Sequence, residues 1–126
     1  MTLPRSRRNS GFTLIELMIV IALIAIISAI AMLLYNQYID TGEEGVLVQN
    51  ISTIEIFQED FRLRNGAYAV DLADIAAIEA AIGWRPQGDD GYTYSIADSD
   101  GTIYQVTGNN ETGDTICIEF PAKTRC

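Results

Sequence analysis

Residues 12–35 read FTLIELMIVIALIAIISAIAMLLY, and this stretch decides what kind of protein the chain can be. Between Leu17 and Leu34 there are eighteen positions, of which only Ser28 is polar. A run of this length nearly spans the hydrocarbon core of a bilayer, which takes about 20 residues. The rest of the 126-residue chain is short, acidic and rich in glycine, so a large soluble enzyme with a deep core is excluded.

Composition narrows the function classes further. The net charge is −9, and the part after Gly11 holds five basic and seventeen acidic residues, which gives it a formal charge of −12. A surface this acidic repels phosphate backbones, so nucleic acid is not an expected partner. Histidine is absent, which removes the commonest general base and the commonest transition-metal ligand. We therefore assign no catalytic, cofactor-binding or metal-binding residue, and we expect no enzyme.

A short basic leader, MTLPRSRRNSG at residues 1–11, precedes the apolar stretch. A secretory signal peptide has the same order of basic and apolar regions, followed by a cleavage site of small residues. Ala29-Ile30-Ala31 fits such a site, and on this interpretation a soluble secreted binding domain is released after Ala31. Glu16 argues against it, because a carboxylate inside an apolar helix costs about 2.5–3.5 kcal/mol and a discarded signal gains nothing from it.

Gly11-Phe12-Thr13-Leu14-Ile15-Glu16 resembles the processing motif of the type IV pilin superfamily, which includes type IV pilins and the pseudopilins of type II secretion. In that family prepilin peptidase cleaves after the glycine and methylates the new N-terminus. The resemblance implies cleavage between Gly11 and Phe12 and N-methylation of Phe12. It also implies an assembly role for Glu16, whose carboxylate would pair with the Phe12 ammonium of a neighbouring subunit. The alternative for Glu16 is a carboxylate that snorkels to the membrane interface.

The resemblance implies that the chain is a structural subunit, a major or minor pilin. Such a subunit polymerises through its N-terminal helix with itself or with other pilins. The expected partners are prepilin peptidase and an inner-membrane assembly platform. The chain would start as a single-pass inner-membrane precursor and end in an extracellular pilus or a periplasmic pseudopilus. Adhesion, twitching motility, DNA uptake and secretion are not distinguished by the sequence, and a type II secretion pseudopilin remains an alternative.

The predicted fold is α+β, with a long N-terminal helix packed on a small antiparallel sheet that a C-terminal disulfide loop closes. The expected divisions are a leader at 1–11, an apolar transmembrane or assembly helix at 12–38 and a globular region at 39–126. Within the globular region we expect an amphipathic helix over 46–64, a short helix over 71–82, a β-meander over 92–120 and a disulfide loop over 117–126. Asp71 is the expected N-cap of the short helix. The apolar face expected to cover the sheet comprises Leu47, Ile51, Ile54, Phe57 and Phe61.

Two glycines, Gly42 and Gly45, interrupt the helical pattern between the apolar and the amphipathic segments. Glycine is a weak helix former and costs about 1 kcal/mol relative to alanine. Three interpretations stay open: two tolerated glycines, a loop between two helices, or a segment near Gly42–Gly45 that melts after assembly, as is common in the family.

Cys117 and Cys126 are the two cysteines, and both lie near the C-terminal end. Behind a targeting segment such a pair is typical of a disulfide, with two free thiols as the alternative. The chain-entropy model values closure of this ring at roughly 2.5–3 kcal/mol.

Three polar features near the sheet are interpreted without a ligand. Asp98-Ser99-Asp100-Gly101 resembles the opening of a calcium loop but lacks the later acidic ligands, so we predict a hairpin turn. Asp89-Asp90-Gly91 is interpreted as a turn in the same way. Lys123 and Arg125 are too few for a DNA-binding patch and are expected to be solvated.

Overall fold

The computed structural model describes Thr2 and residues 10–88, 91–100 and 102–126. Most of the basic leader, Asp89, Asp90 and Gly101 lie outside the described residues, so the turns expected at Asp89-Asp90-Gly91 and Asp98-Ser99-Asp100-Gly101 fall partly outside them. The elements are α1 Leu14–Asn65, α2 Ile75–Ile82, β1 Thr93–Asp98, β2 Tyr104–Asn109, β3 Thr115–Phe120 and β4 Thr124–Arg125. The predicted α+β fold is confirmed, with its long N-terminal apolar helix, small antiparallel sheet and C-terminal disulfide. The chain divides into two compact units between Tyr38 and Ile39.

The first unit contains the apolar part of α1. The most apolar 18-residue window of this helix has a mean hydropathy of 3.1, and none of it is buried. By length and composition alone the helix can cross a membrane. A continuous apolar surface of this kind is unfavourable in water, so it needs lipid or protein around it.

The glycines do not interrupt α1, which continues through Gly42 and Gly45 as one helix. A loop between two helices is therefore wrong for this structure, whereas melting after assembly stays a prediction. The helix expected over 46–64 is the C-terminal part of α1 rather than a separate element. A Cβ atom at either glycine would meet nothing within 4 Å, so neither glycine is required for packing among the described residues.

The second unit is built around a four-stranded antiparallel sheet in the order β1-β2-β3-β4. The register places Thr93 opposite Asn109 and Tyr104 opposite Phe120. Alternate side chains point to one face, as the period of two requires. The buried residues of that face are Tyr94, Ile96, Tyr104, Val106, Ile116 and Phe120. The short strand β4 was not predicted from the sequence.

The C-terminal part of α1 covers this face through Leu47, Ile51 and Ile54, each of which is fully buried. Phe57 was expected beside them but is 39% exposed, while Gln58 is fully buried. The Gln58 amide donates to the Ala69 carbonyl oxygen (2.5 Å) and accepts from the Ala69 N–H (2.9 Å). Because both polar ends of its amide are hydrogen-bonded, Gln58 can face the core at the place where the hydrophobic pattern alone predicts Phe57.

Gly108 in β2 lets α1 approach the sheet closely. A Cβ at this position would lie 2.9 Å from Leu47 Cδ2 and 3.1 Å from Tyr94 Cε1. At the first of these distances the Leu47 side chain would have to shift, so glycine at 108 lets the helix pack this closely on the sheet without displacing it.

Helix α2 begins later than the sequence pattern predicted. Asp74 rather than Asp71 is the N-cap, and its carboxylate accepts from Ala77 N–H at 2.7 Å. Asp71 adopts φ 58°, and Leu72 pairs with Ile96 in an isolated bridge. That bridge uses the backbone that a helix starting at Asp71 would need, and the extended backbone of Asp74 (φ −151°, ψ 174°) places the helix start at Ile75.

The C-terminal tail is fixed to the rest of the second unit. The disulfide between Cys117 and Cys126 is confirmed. Lys123 and Arg125 are exposed, as expected, and each also forms an ion pair with α1: the Lys123 ammonium lies 3.0 Å from the Glu55 carboxylate, and the Arg125 guanidinium pairs with Glu44. The tail therefore connects the sheet to the covering helix.

A hydrogen-bonded group also fixes the end of α1 to the loop that follows it. The Tyr68 hydroxyl donates to Glu59 (2.6 Å), and the Arg62 guanidinium donates to the same residue. These hydrogen bonds, from Tyr68 first and Arg62 second, lower the pKa of the Glu59 carboxyl. Burial and the bond to Glu59 raise the pKa of Tyr68.

We expect Tyr104→Phe to stabilise the second unit by about 1 kcal/mol. The ring is fully buried and stacks on Phe120 at 5.2 Å, but its hydroxyl has no hydrogen-bond partner among the described residues. Phenylalanine keeps the ring contacts and removes the unpaired hydroxyl. Thermal unfolding of the detergent-solubilised chain, followed by near-UV circular dichroism, should show a higher Tm.

Tyr94→Phe is the matched control for Tyr104→Phe. The Tyr94 hydroxyl accepts a hydrogen bond from the buried Asn50 amide at 2.8 Å, so removing it leaves a buried donor unpaired. This variant should lower the free energy of unfolding by about 1–2 kcal/mol and should therefore unfold at a lower temperature. A Tyr104→Phe variant that melts below the wild type would contradict our account of the hydroxyl.

Candidate processing and assembly site

The peptide bond between Gly11 and Phe12 lies outside α1. Residues 10–13 are not helical, and α1 begins at Leu14. Gly11 is exposed and Phe12 is 88% exposed. A peptidase can therefore reach this bond without unwinding a helix.

A capping box fixes the first turn of α1. The Glu16 N–H donates to Thr13 Oγ1 (3.3 Å), and the Thr13 N–H donates to Glu16 Oε2 (3.4 Å). This reciprocal pair satisfies two backbone donors that a helix start leaves free. The Thr13-x-x-Glu16 spacing typical of a capping box is present in the sequence and could have predicted it. Glu16 thus has a local structural role besides the assembly role implied by the resemblance.

The capping box also sets where Phe12 lies relative to the helix. If the helix began at Phe12, residues 12 and 16 would lie one turn apart on the same face. Because Thr13 is the N-cap, Phe12 precedes the helix. In the uncleaved chain the helix therefore does not hold residues 12 and 16 one turn apart on the same face. The charge on Glu16 is therefore available to a partner outside its own first turn.

Small residues form one stripe on the exposed apolar part of α1. Ala22, Ala25 and Ala29 follow one another at spacings of three and four, which places them on one face. The Ser28 hydroxyl donates to the Ile24 carbonyl oxygen at 2.7 Å, so its polarity is satisfied within the helix. Such a surface allows another helix to approach closely in an apolar environment.

The competing cleavage site at Ala29-Ile30-Ala31 lies inside α1. Cleavage after Ala31 would cut the helix seventeen residues after its first residue, Leu14. The two candidate sites thus differ in backbone state, one outside the helix and the other within it.

The acidic turn after β1 shows turn chemistry. Asp100 Oδ1 accepts from the Thr102 N–H (3.0 Å), the Thr102 hydroxyl (2.8 Å) and the Ile103 N–H (2.9 Å). These bonds, first that from the Thr102 hydroxyl, lower the pKa of Asp100. Among the residues that the structure describes there is no cluster of three or more histidine, cysteine, aspartate or glutamate side chains able to hold a metal ion.

Comparison with known proteins finds one family model and two relatives that match this chain. The family model described as the prokaryotic N-terminal methylation motif matches residues 6–32. The chain is 32% identical over 90 residues to the type IV major pilin protein PilA of Myxococcus xanthus (strain DK1622). It is 37% identical over 96 residues to the fimbrial protein of Dichelobacter nodosus. The chain is type IV pilin-like.

The two alignments cover most of the pilin-like chain but less of its relatives. They include 71% and 75% of the chain, against 38% of the Myxococcus protein and 54% of the Dichelobacter protein. The pilin-like chain thus spans between two fifths and about half of the length of these curated relatives. No solved structure matches it significantly.

Proposed function

We propose that the chain is a structural subunit of a type IV pilus, cleaved between Gly11 and Phe12, methylated at Phe12 and polymerised through the apolar part of α1. One observation carries the proposal: the methylation motif at 6–32 includes the start of α1, whose most apolar 18-residue window has a mean hydropathy of 3.1 and no buried residue. A secretory signal explains the hydropathy but not the motif. The names of the two relatives, a major pilin and a fimbrial protein, favour a pilus over a pseudopilus.

The apolar helix needs two successive environments. Before assembly, its 18-residue window matches the hydrocarbon core of the inner membrane. After extraction it must enter another dry environment, and helices of neighbouring subunits provide one. Prepilin peptidase and an inner-membrane assembly platform are the partners that this sequence of steps requires, and the role of the chain is structural rather than enzymatic.

The N-terminus of the mature protein tests the proposal. We expect Edman sequencing and intact-mass measurement of the cell-derived protein to show a chain that starts at Phe12 and carries a methyl group. Gly11→Val should leave the leader attached, because a branched side chain then occupies the exposed cleavage position. A mature chain that starts at Met32 would instead establish a secreted domain released by signal peptidase and would reject the pilin proposal.

A further inference from the structure

The segment Gly42-Glu43-Glu44-Gly45, here called the glycine segment, is the intrinsically weakest part of α1 in the second unit. Each glycine lowers the helix equilibrium about fivefold relative to alanine. A Cβ at Gly42 or Gly45 meets no atom within 4 Å, so alanine would fit at both positions. The two glycines weaken the helix without serving the packing of the described residues.

The β2–β3 turn holds the first carboxylate of the glycine segment. Glu43 Oε2 accepts from Asn110 Nδ2 (2.8 Å) and from the Thr112 hydroxyl (3.1 Å). Asn110 is only 7% exposed, and its Oδ1 accepts from the Asp114 N–H at 2.7 Å, which fixes the direction of its amide. The turn thus presents two oriented donors to one position of the helix.

The C-terminal tail holds the second carboxylate. Glu44 pairs with Arg125 in β4. Two constraints fix β4 in turn, the pairing of Thr124 with Glu119 and the disulfide that Cys126 forms with Cys117. Both carboxylates between the glycines are therefore bound by parts of the chain that lie more than sixty positions later.

We propose that the β2–β3 turn and the disulfide-closed tail form a latch that keeps the glycine segment helical, and that release of the latch lets this segment unwind. Reduction by a dithiol, itself oxidised to a disulfide, converts Cys117 and Cys126 to two thiols and frees the Arg125 side of the latch. Unwinding four residues lengthens the chain by about 7 Å, since an extended residue spans roughly 3.3 Å and a helical one 1.5 Å. The latch is a property of the folded chain and does not rest on filament assembly.

Amide hydrogen exchange, measured by mass spectrometry on the full chain in detergent micelles, tests the latch. Unwinding the glycine segment breaks the helical hydrogen bonds of the amides at 43–49. Glu43→Ala removes the hydrogen bond from Asn110 and the contact with the Thr112 hydroxyl, which also lies 3.3 Å from Asp114 Oδ2, so these amides should exchange about tenfold faster. Arg125→Gln removes one exposed ion pair and should accelerate them about threefold, as should dithiothreitol. Amides in β1 and β2 should keep wild-type rates, which shows that the sheet remains folded.

Two further variants separate the latch from general destabilisation. Lys123→Gln breaks the other ion pair between tail and α1, at Glu55, three helical turns beyond the glycine segment, and should leave the amides at 43–49 unchanged. Gly42→Ala combined with Gly45→Ala should slow their exchange about thirtyfold and restore protection in the Glu43→Ala background. The proposal is overturned if Glu43→Ala and Arg125→Gln leave these amides unchanged. It is equally overturned if Lys123→Gln accelerates them as much, or if the sheet exchanges faster to the same degree.

Discussion

Glu16→Gln should lower the yield of assembled filaments at least tenfold while leaving membrane insertion unimpaired. The substitution removes a carboxylate from the apolar segment, where a charge costs about 2.5–3.5 kcal/mol, so insertion is no harder than in the wild type. Assembly should suffer because, in the proposed filament, the ammonium of Phe12 in a neighbouring subunit loses its counter-charge. A buried charge without a partner costs about 3–5 kcal/mol, which is far more than a tenfold effect. Quantification of sheared surface filaments against the membrane-bound pool measures both outcomes.

The choice of glutamine separates the charge from the capping box. Its side-chain oxygen can accept from the Thr13 N–H as Glu16 does, so the helix start is preserved. Thr13→Ala is the complementary variant, because it removes the hydroxyl that accepts from the Glu16 N–H and keeps the charge. We expect Thr13→Ala to assemble nearly as well as the wild type. If Glu16→Gln assembles normally and Thr13→Ala does not, helix capping rather than charge pairing is the role of this glutamate.

Ala25→Phe or Ala29→Phe should block polymerisation almost completely while leaving the subunit in the membrane. Lipid is as apolar as the helix, so the hydrophobic effect does not favour transfer from the bilayer into a filament. Close packing of helices must supply the difference, and the alanine stripe is where α1 permits close approach. A phenylalanine there holds a neighbouring helix away but fits easily among lipid chains. Filament yield and membrane-bound subunit are measured in the same cells.

Ile27→Phe is the matched control for the alanine variants. Ile27 lies on the opposite face of the same helix and is already large and 66% exposed. Its replacement adds a ring without filling a place that small residues leave open, so most of the filament yield should remain. Normal filaments from both alanine variants would mean that packing along this stripe does not hold the fibre together.

The identity of the N-terminal half follows from local sequence alone. Three local signals define it: the apolar stretch, the Gly11–Glu16 motif and the Thr13-x-x-Glu16 spacing. None of them depends on contacts with residues that are distant in the chain. The antiparallel meander could also be predicted from the sequence, because the alternation of polar and apolar residues and the turn residues are local signals. The cysteine pair belongs to the same class, since the chain contains no other cysteine with which either could pair.

Tertiary structure decided the positions whose partners are distant in the chain. Gln58 is buried because the Ala69 backbone satisfies its amide, and Asn50 because it reaches the Tyr94 hydroxyl 44 positions later. The sequence pattern around these two residues is the same as that around polar residues on the exposed face of an amphipathic helix. The start of α2 was decided in the same way, by the bridge between Leu72 and Ile96.

The sequence left the glycine segment open between a helix, a loop and a segment that melts after assembly. In this structure the segment is helical, and melting after assembly stays a prediction. Local propensity favours a break there, since two glycines cost about 2 kcal/mol relative to alanine. The opposing contacts come from Asn110, Thr112 and Arg125, which adjoin the segment only after the sheet has formed and the disulfide has closed. Sequence by itself determined that this chain has a long apolar helix with the Gly11–Glu16 motif at its start. Whether that helix continues into the globular unit was decided by contacts that exist only in the folded protein, because no local pattern encodes a partner nearly seventy residues away.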